Sequence, residues 1–217
     1  MTDRLSEQQV IDLIGQLDLI EATPELVSRA LARGHDSSGQ PVRYASFSSP
    51  VGPVMVAFAD AVVRSQVGGS AIEFETVLEA EGFEGWRSDA PAALRAAVSA
   101  TLEAGEPFVY PVDTQRLGGF QRQVLACIRA IPRGGIRSYG WVAGEIGRPG
   151  AVRAVGTALA RNPIPVFIPC HRVVRTDRQL GEYSGGGSAM KARLLRWEGV
   201  PVVSRGERHW VAPAASN

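Results

Sequence analysis

Charge is segregated along this chain, and that limits its architecture more than any single motif does. Residues 1–112 hold seven Arg and no Lys against sixteen Asp and Glu, a net charge of −9. Residues 113–217 hold fifteen Arg and one Lys against six Asp and Glu, a net charge of +10. A chain of 217 residues, 45% of them hydrophobic, suits one large domain or two small ones, and the split favours two. Only the second half is suited to face a polyanion, and Arg is the side chain shaped to grip phosphate. A basic surface that is merely solvated accounts for the charge equally well, so the motifs must decide.

Several classes drop out. The two cysteines, Cys127 and Cys170, make no disulfide framework. No Cys-x-x-Cys or His-x-x-x-His spacing suggests a metal site, and the reading requires no cofactor. Free thiols fit a reducing compartment. The N-terminal Met1-Thr2-Asp3-Arg4-Leu5-Ser6-Glu7 lacks a secretory signal and no apolar run approaches a membrane span, so the expectation is a cytoplasmic protein with no membrane partner.

Hydrophobic periodicity predicts two short amphipathic helices between Ser6 and Arg33, then a linker at Gly34–Pro41; residues 1–41 are read as an extension. Val42–Phe47 and Val54–Phe58 flank a turn as two strands, with Val62–Val67 a third candidate. Asp89-Ala90-Pro91 opens an alanine-rich helix to about Ala104, with Pro91 placed in its first turn. Residues 42–112 thus read as a small acidic α/β domain. In residues 113–217, the basic domain, Phe120–Ala130 is helical with Phe120, Val124, Cys127 and Ile128 on one stripe, which reads Cys127 as core.

The segment Ile164-Pro165-Val166-Phe167-Ile168-Pro169-Cys170-His171-Arg172-Val173-Val174 reads as an apolar strand delivering a cysteine into polar residues. An imidazole and a guanidinium beside a thiol favour the thiolate, the reactive nucleophile. Successive strand side chains face opposite sides, so His171 reaches Cys170 only across a bend or a water, and Pro169 makes a bend feasible. A buried, inert small hydrophobe is the alternative for Cys170.

Ser138 caps a short helix to Ile146, Gly147-Arg148-Pro149-Gly150 turns the chain, and Ala151–Arg161 is a second helix; this is the layout of a helix-turn-helix. The second helix carries few side chains that could read base edges. Its small residues permit close approach to a backbone or a narrow groove, with Arg153 projecting from a smooth face. Tight helix packing explains the same residues.

Together these residues resemble the O6-alkylguanine-DNA alkyltransferases, the methylated-DNA–protein-cysteine methyltransferase family. The resemblance runs from about Tyr44 to Val200. It rests on Pro169-Cys170-His171-Arg172-Val173 with Asn162-Pro163 before it, and on Phe120-Gln121-x-x-Val124, Ile131-Pro132-x-Gly134, Ser138-Tyr139, Gly147-Arg148-Pro149, Arg153-Ala154-Val155-Gly156, Tyr183-Ser184-Gly185-Gly186 and Leu194-Leu195-x-x-Glu198-Gly199.

The resemblance implies an α+β protein: an RNase H-like N-terminal domain plus a mostly helical, winged-helix-like domain with the helix-turn-helix. It implies a monomer that acts on double-stranded DNA containing O6-alkylguanine, and also on O4-alkylthymine. Cys170 would take the alkyl group irreversibly, in one turnover. His171 would act through a water and be oriented by Glu198, a division of labour like that of a hydrolase triad. Tyr139 would contact guanine N3, Ser184 would contact O6, and backbone carbonyls of Cys170 and Val173 would accept from the amino group. Asn162 would tie the helix-turn-helix to the active-site strand. Tyr183, Pro165 and Leu159 would surround the base. Arg153 would fill the vacated stack, with Ser138, Ala154, Gly156 and Thr157 at the DNA. On residues alone Tyr139 is equally an aromatic of the core. Two positions depart from the family pattern: Arg178 stands where glycine is common, and Glu182 puts a negative charge beside Tyr183. Competing readings are a non-catalytic module that binds alkyl lesions and a cysteine hydrolase using Cys170 and His171.

Overall fold

Strand β2 (Val54–Phe58) is buried at every residue because both faces of its sheet are covered. Val54, Val56 and Phe58 point into the main core, whereas Met55 and Ala57 point into a second cluster with Phe74 and Leu78. A side-chain period of two thus feeds two cores from one strand. The computed structural model describes residues 39–212; the two helices expected between Ser6 and Arg33 lie outside the described residues. Strands β1 (Gln40–Phe47), β2, β3 (Val62–Val67) and β4 (Phe83–Arg87) form a sheet of order β3-β2-β1-β4, with β1–β2 and β2–β3 antiparallel. The three strands read from periodicity are all present.

Helix α1 (Ala71–Ala80) and β4 were not legible in the periodicity. Only Phe74 and Leu78 of the ten helical residues are buried, so the apolar stripe is thin. Its start is nonetheless written in a capping box: Glu73 N donates to Ser70 Oγ at 3.2 Å, and Ser70 N donates to Glu73 Oε2 at 2.6 Å. Helix α2 (Ala92–Ser99) follows Pro91 and runs on through a π-helical turn, Ala100–Ala104.

The second half contributes α3 (Gly119–Arg129), β5 (Arg137–Ser138), α4 (Tyr139–Glu145), α5 (Val152–Ala160), a 3-10 turn at Cys170–Arg172, β6 (Val173–Val174), α6 (Gly187–Trp197) and a hairpin of β7 (Val202–Arg205) and β8 (Arg208–Val211). Ser138 Oγ accepts from Trp141 N at 3.0 Å and caps α4. Helix α4 ends in a paired bonding pattern, Gly147 N to Gly144 O at 2.9 Å and Arg148 N to Ala143 O at 2.8 Å, with Gly147 at φ 70°. The carbonyls of the last turn are satisfied there, and the chain reverses into α5.

The two halves share a core. Phe58, Leu94, Val98, Ile128, Val155 and Phe167 belong to one hydrophobic cluster, and residues 41–212 belong to one compact unit. Backbone bonds Val62 N to Pro111 O (2.9 Å) and Asp113 N to Val62 O (2.8 Å) clip the connecting segment onto β3. No helix among the described residues is long and apolar enough to cross a membrane.

One expectation is overturned. The run Ile164–Ile168 is not a strand but a tight turn, closed by Ile168 N donating to Ile164 O at 2.9 Å. Pro163 and Pro165 have no N–H to give a ladder, and Val166 takes φ 75°, which no regular strand accommodates. The cysteine therefore opens a 3-10 turn instead of ending a strand.

Candidate active site

Asn162, at the end of α5, organises the turn that carries the thiol. Its Nδ2 donates to Ile168 O at 2.8 Å and to Cys170 Sγ at 3.1 Å, and its Oδ1 accepts from Ile164 N at 3.1 Å. Cys170 is 4% exposed. Burial pushes its thiol above the ordinary range, and the Asn162 amide and the Lys191 ammonium pull it back.

His171 is fully buried, and its Nε2 lies 2.9 Å from Glu198 Oε1. Glu198 caps the C-terminal end of α6 and also receives Arg172 at 3.1 and 3.0 Å from Nε and at 2.7 Å from Nη2. Burial alone would raise its carboxyl, but hydrogen bonds and charge from His171 and Arg172 outweigh this and hold it at about 2. An ionised carboxylate can only accept, so the imidazole proton sits on Nε2. Nδ1 is left as a lone-pair acceptor, and it is buried with no partner among the described residues. Burial also pulls His171 below its ordinary pKa, against the pull of Glu198, which keeps the ring neutral and basic at Nδ1. A neutral imidazole with a free lone pair near a thiol is suited to remove its proton.

A cavity of about 240 Å³ opens on the thiol, lined by Cys170, Tyr139, Gly156, Leu159, Tyr183 and Ser184 together with Ala160, Glu182 and Lys191. Six residues singled out in the sequence therefore meet in one cavity. Tyr183 is buried, with its hydroxyl lacking a partner among the described residues. Burial raises the Tyr139 hydroxyl, helped by the nearby thiol. Val173 is buried at the end of the 3-10 turn, its N–H bonded within that turn. Pro165 is absent from this lining; it borders a separate cavity with Asn162 and Ser184.

Beside the thiol cavity runs a groove of about 550 Å³ lined by Arg153, Val152, Arg175, Thr176, Asp177 and Gly181, with Tyr139, Gly156 and Glu182 common to both. Helix α5 turns Val155, Ala158 and Leu159 inward and leaves Arg153, Ala154 and Thr157 exposed. Ser138 is absent from this lining; its Oγ accepts the α4 cap bond from Trp141 N, which leaves its O–H to donate. Arg178 adopts φ 63°, a left-handed conformation that explains why glycine suits the position.

Arg172, read from the sequence as a guanidinium beside the thiol, is engaged by Glu198; Lys191 escaped the sequence reading. Lys191 is 1% exposed, with its Nζ 3.5 Å from the Tyr139 hydroxyl and 5.6 Å from that ring's centroid. Burial pulls its ammonium down to about 8, while the thiol and Glu182 pull it up. A signal for Lys191 was available, since it is the only lysine in the chain. Among the described residues no group of His, Cys, Asp and Glu is placed to hold a metal ion.

The profile described as 6-O-methylguanine DNA methyltransferase, DNA binding domain, matches residues 119–200. A methylated-DNA–protein-cysteine methyltransferase of Mycobacterium leprae is 37% identical over 163 residues, covering 73% of this chain and 93% of that protein. The chain belongs to the methylated-DNA–protein-cysteine methyltransferase family. A mouse protein of the same family name is 51% identical over 94 residues, 43% of this chain; that match spans only 44% of the mouse protein. The crystal structure of Mycobacterium tuberculosis OGT in complex with DNA superposes with a TM-score of 0.59 at 32% identity, covering 73% of this chain and 93% of that one. The mixed α/β fold described above is thus the methyltransferase family's fold.

Proposed function

We propose that this chain is a single-turnover DNA-repair alkyltransferase, a cytoplasmic monomer that needs no cofactor and works on double-stranded DNA containing O6-alkylguanine, and on O4-alkylthymine. The observation that carries the proposal is the continuity between the Arg153 groove and the thiol cavity, joined by Gly156 of α5, Tyr139 of α4 and Glu182. A duplex on α5 could deliver one extruded nucleotide to Cys170 without leaving the helix. The cavity, about 240 Å³, is on the scale of a single base. Residues 113–217 would be the DNA-binding and alkyl-acceptor domain, winged-helix-like with β7–β8 as its hairpin. Residues 42–112 would be an acidic, RNase H-like domain, with residues 1–41 as an extension.

The reaction follows from the site. Through a water, the proton of Cys170 passes to His171 Nδ1, and Glu198 stabilises the imidazolium that forms. The thiolate attacks the alkyl carbon, an S–C bond forms, and the C–O6 bond breaks with its electron pair staying on guanine. Tyr139 hydrogen-bonds N3 and Ser184 hydrogen-bonds O6, so charge on the departing base is neutralised as it develops. Carbonyls of Cys170 and Val173 accept from the amino group, with Leu159 and Tyr183 around the base and Pro165 outside the cavity, in the turn that carries the thiol. Arg153 occupies the vacated stack while Ser138, Ala154, Gly156 and Thr157 lie against the backbone. The thioether has no route back, so each molecule acts once.

The protein is mixed with a duplex bearing O6-methylguanine, and the Cys170 peptide is weighed. One added methyl group, lost in Cys170→Ser while DNA binding persists, is the expected result. Binding without loss of lesion would instead make the chain a lesion-binding module, and repeated turnover of an ester would make it a hydrolase.

A further inference from the structure

Ser65 lies on β3, in the sheet of the acidic half, one hundred residues before the turn that carries the nucleophile, and it is 1% exposed. Its Oγ donates to Pro165 O at 2.7 Å and its N–H donates to Pro163 O at 3.0 Å. A hydroxyl buried in a strand of valines is costly unless bonded, and β-branched apolar residues suit such a position better. The bonds run to a segment that cannot support itself as a strand, because prolines remove its donors and Val166 sits at φ 75°.

The hydrogen bonds of this turn form a chain of custody. Asn162 holds Ile164 N and Ile168 O, Ile168 N closes on Ile164 O, and Cys170 N closes on Ile168 O at 2.8 Å. All of these arise within residues 162–170. Ser65 supplies the two that anchor the turn to an outside element, on the edge strand of the four-stranded sheet. At the far end of the same network the Asn162 amide meets Cys170 Sγ at 3.1 Å.

We infer that Ser65 is a positioning residue for alkyl transfer: it pins the Pro163–Pro165 carbonyls so that the strained turn holds Asn162 against the Cys170 sulfur. The acidic half thereby takes part in the reaction without touching substrate. The inference rests on the alkyl-transfer reading, but one of its tests does not need DNA.

Ser65→Ala, Ser65→Thr and Val63→Ala are compared with wild type. Val63 is buried on the opposite face of β3, in the second cluster, so its truncation lowers stability without removing a hydrogen bond to the turn. The single-turnover rate at saturating O6-methylguanine duplex, the DNA dissociation constant, the Tm and the pH profile of Cys170 alkylation by iodoacetamide are measured. For Ser65→Ala the saturating rate falls roughly tenfold, about 1.4 kcal/mol of barrier. The alkylation midpoint moves up, DNA affinity is unchanged, and Ser65→Thr restores the rate. Val63→Ala lowers the Tm alone. A wild-type rate and midpoint in Ser65→Ala would overturn the inference, as would an equal rate loss in Val63→Ala. Should Ser65→Ala not fold, Ser65→Cys, near-isosteric with a weak donor, takes its place, and a wild-type rate there is equally fatal. If the wild-type protein transfers no methyl group, the functional reading fails, while the iodoacetamide profile still decides the role of Ser65.

Discussion

Glu198 binds His171 and Arg172 with one carboxylate: Oε1 lies 2.9 Å from His171 Nε2 and 2.7 Å from Arg172 Nη2, and its side chain is 1% exposed. The acid sets the tautomer of the histidine while also neutralising a guanidinium whose Nη1 donates to Ile131 O. Removing its charge should therefore affect both folding and chemistry. For Glu198→Gln, urea unfolding is expected to show a loss of about 3 kcal/mol, the cost of stranding a largely buried charge, with transfer slowed more than tenfold. Wild-type stability with wild-type rate would exclude a central role for the carboxylate.

Acid should destabilise the protein in two stages. Burial depresses His171, so below its ordinary value of 6.5 the unfolded chain binds a proton that the folded chain resists, and stability falls with pH. Glu198 is held at about 2 against an ordinary 4.5; its contribution is full above 4.5 and is lost as pH falls towards 2. Urea midpoints at pH 7, 5 and 3 should decrease in that order, and in Glu198→Gln the step below pH 4.5 should be reduced.

Lys191 is a buried ammonium with no carboxylate within salt-bridge distance among the described residues, which is a stability cost accepted at a reactive site. Lys191→Met should raise stability by roughly 1–3 kcal/mol. It should also raise the midpoint of Cys170 alkylation, because the ammonium pulls the thiol down. A thermal melt and an iodoacetamide pH series check the two halves; a lower Tm with an unchanged midpoint would refute both.

Arg153 is exposed on α5, so Arg153→Ala should leave the Tm within about a degree, as surface substitutions do. Its loss should slow repair of a lesion in a duplex more than repair of the same lesion in a single strand, where no stack has to be refilled. Equal slowing on both substrates would place the residue at the backbone instead.

The elements legible in the sequence were those with a strong local signature. The short apolar run Val54–Phe58, the apolar stripe of α3, the Ser138 cap and the glycine after α4 each declare a structure within a few residues. Helix α1 escaped because it buries two side chains and declares itself only by Ser70 and Glu73. The Ile164–Ile168 run misled because its composition is that of a strand, while its prolines and the remote bonds from Ser65 make it a turn. Glu198, as one more charge near a helix end, entered the site by resemblance alone.

Sequence alone determined the charge division, the order of most elements, the two helices joined at Gly147 and the motif around Cys170, because these depend on residues close together in the chain. Only the tertiary structure decided how Cys170 is held, which nitrogen of His171 is free, and that Lys191 and Ser65 belong to the same neighbourhood. Those facts depend on burial and on contacts across 8 to 100 residues. Desolvation and hydrogen-bond geometry set them, and neither exists until the chain is folded.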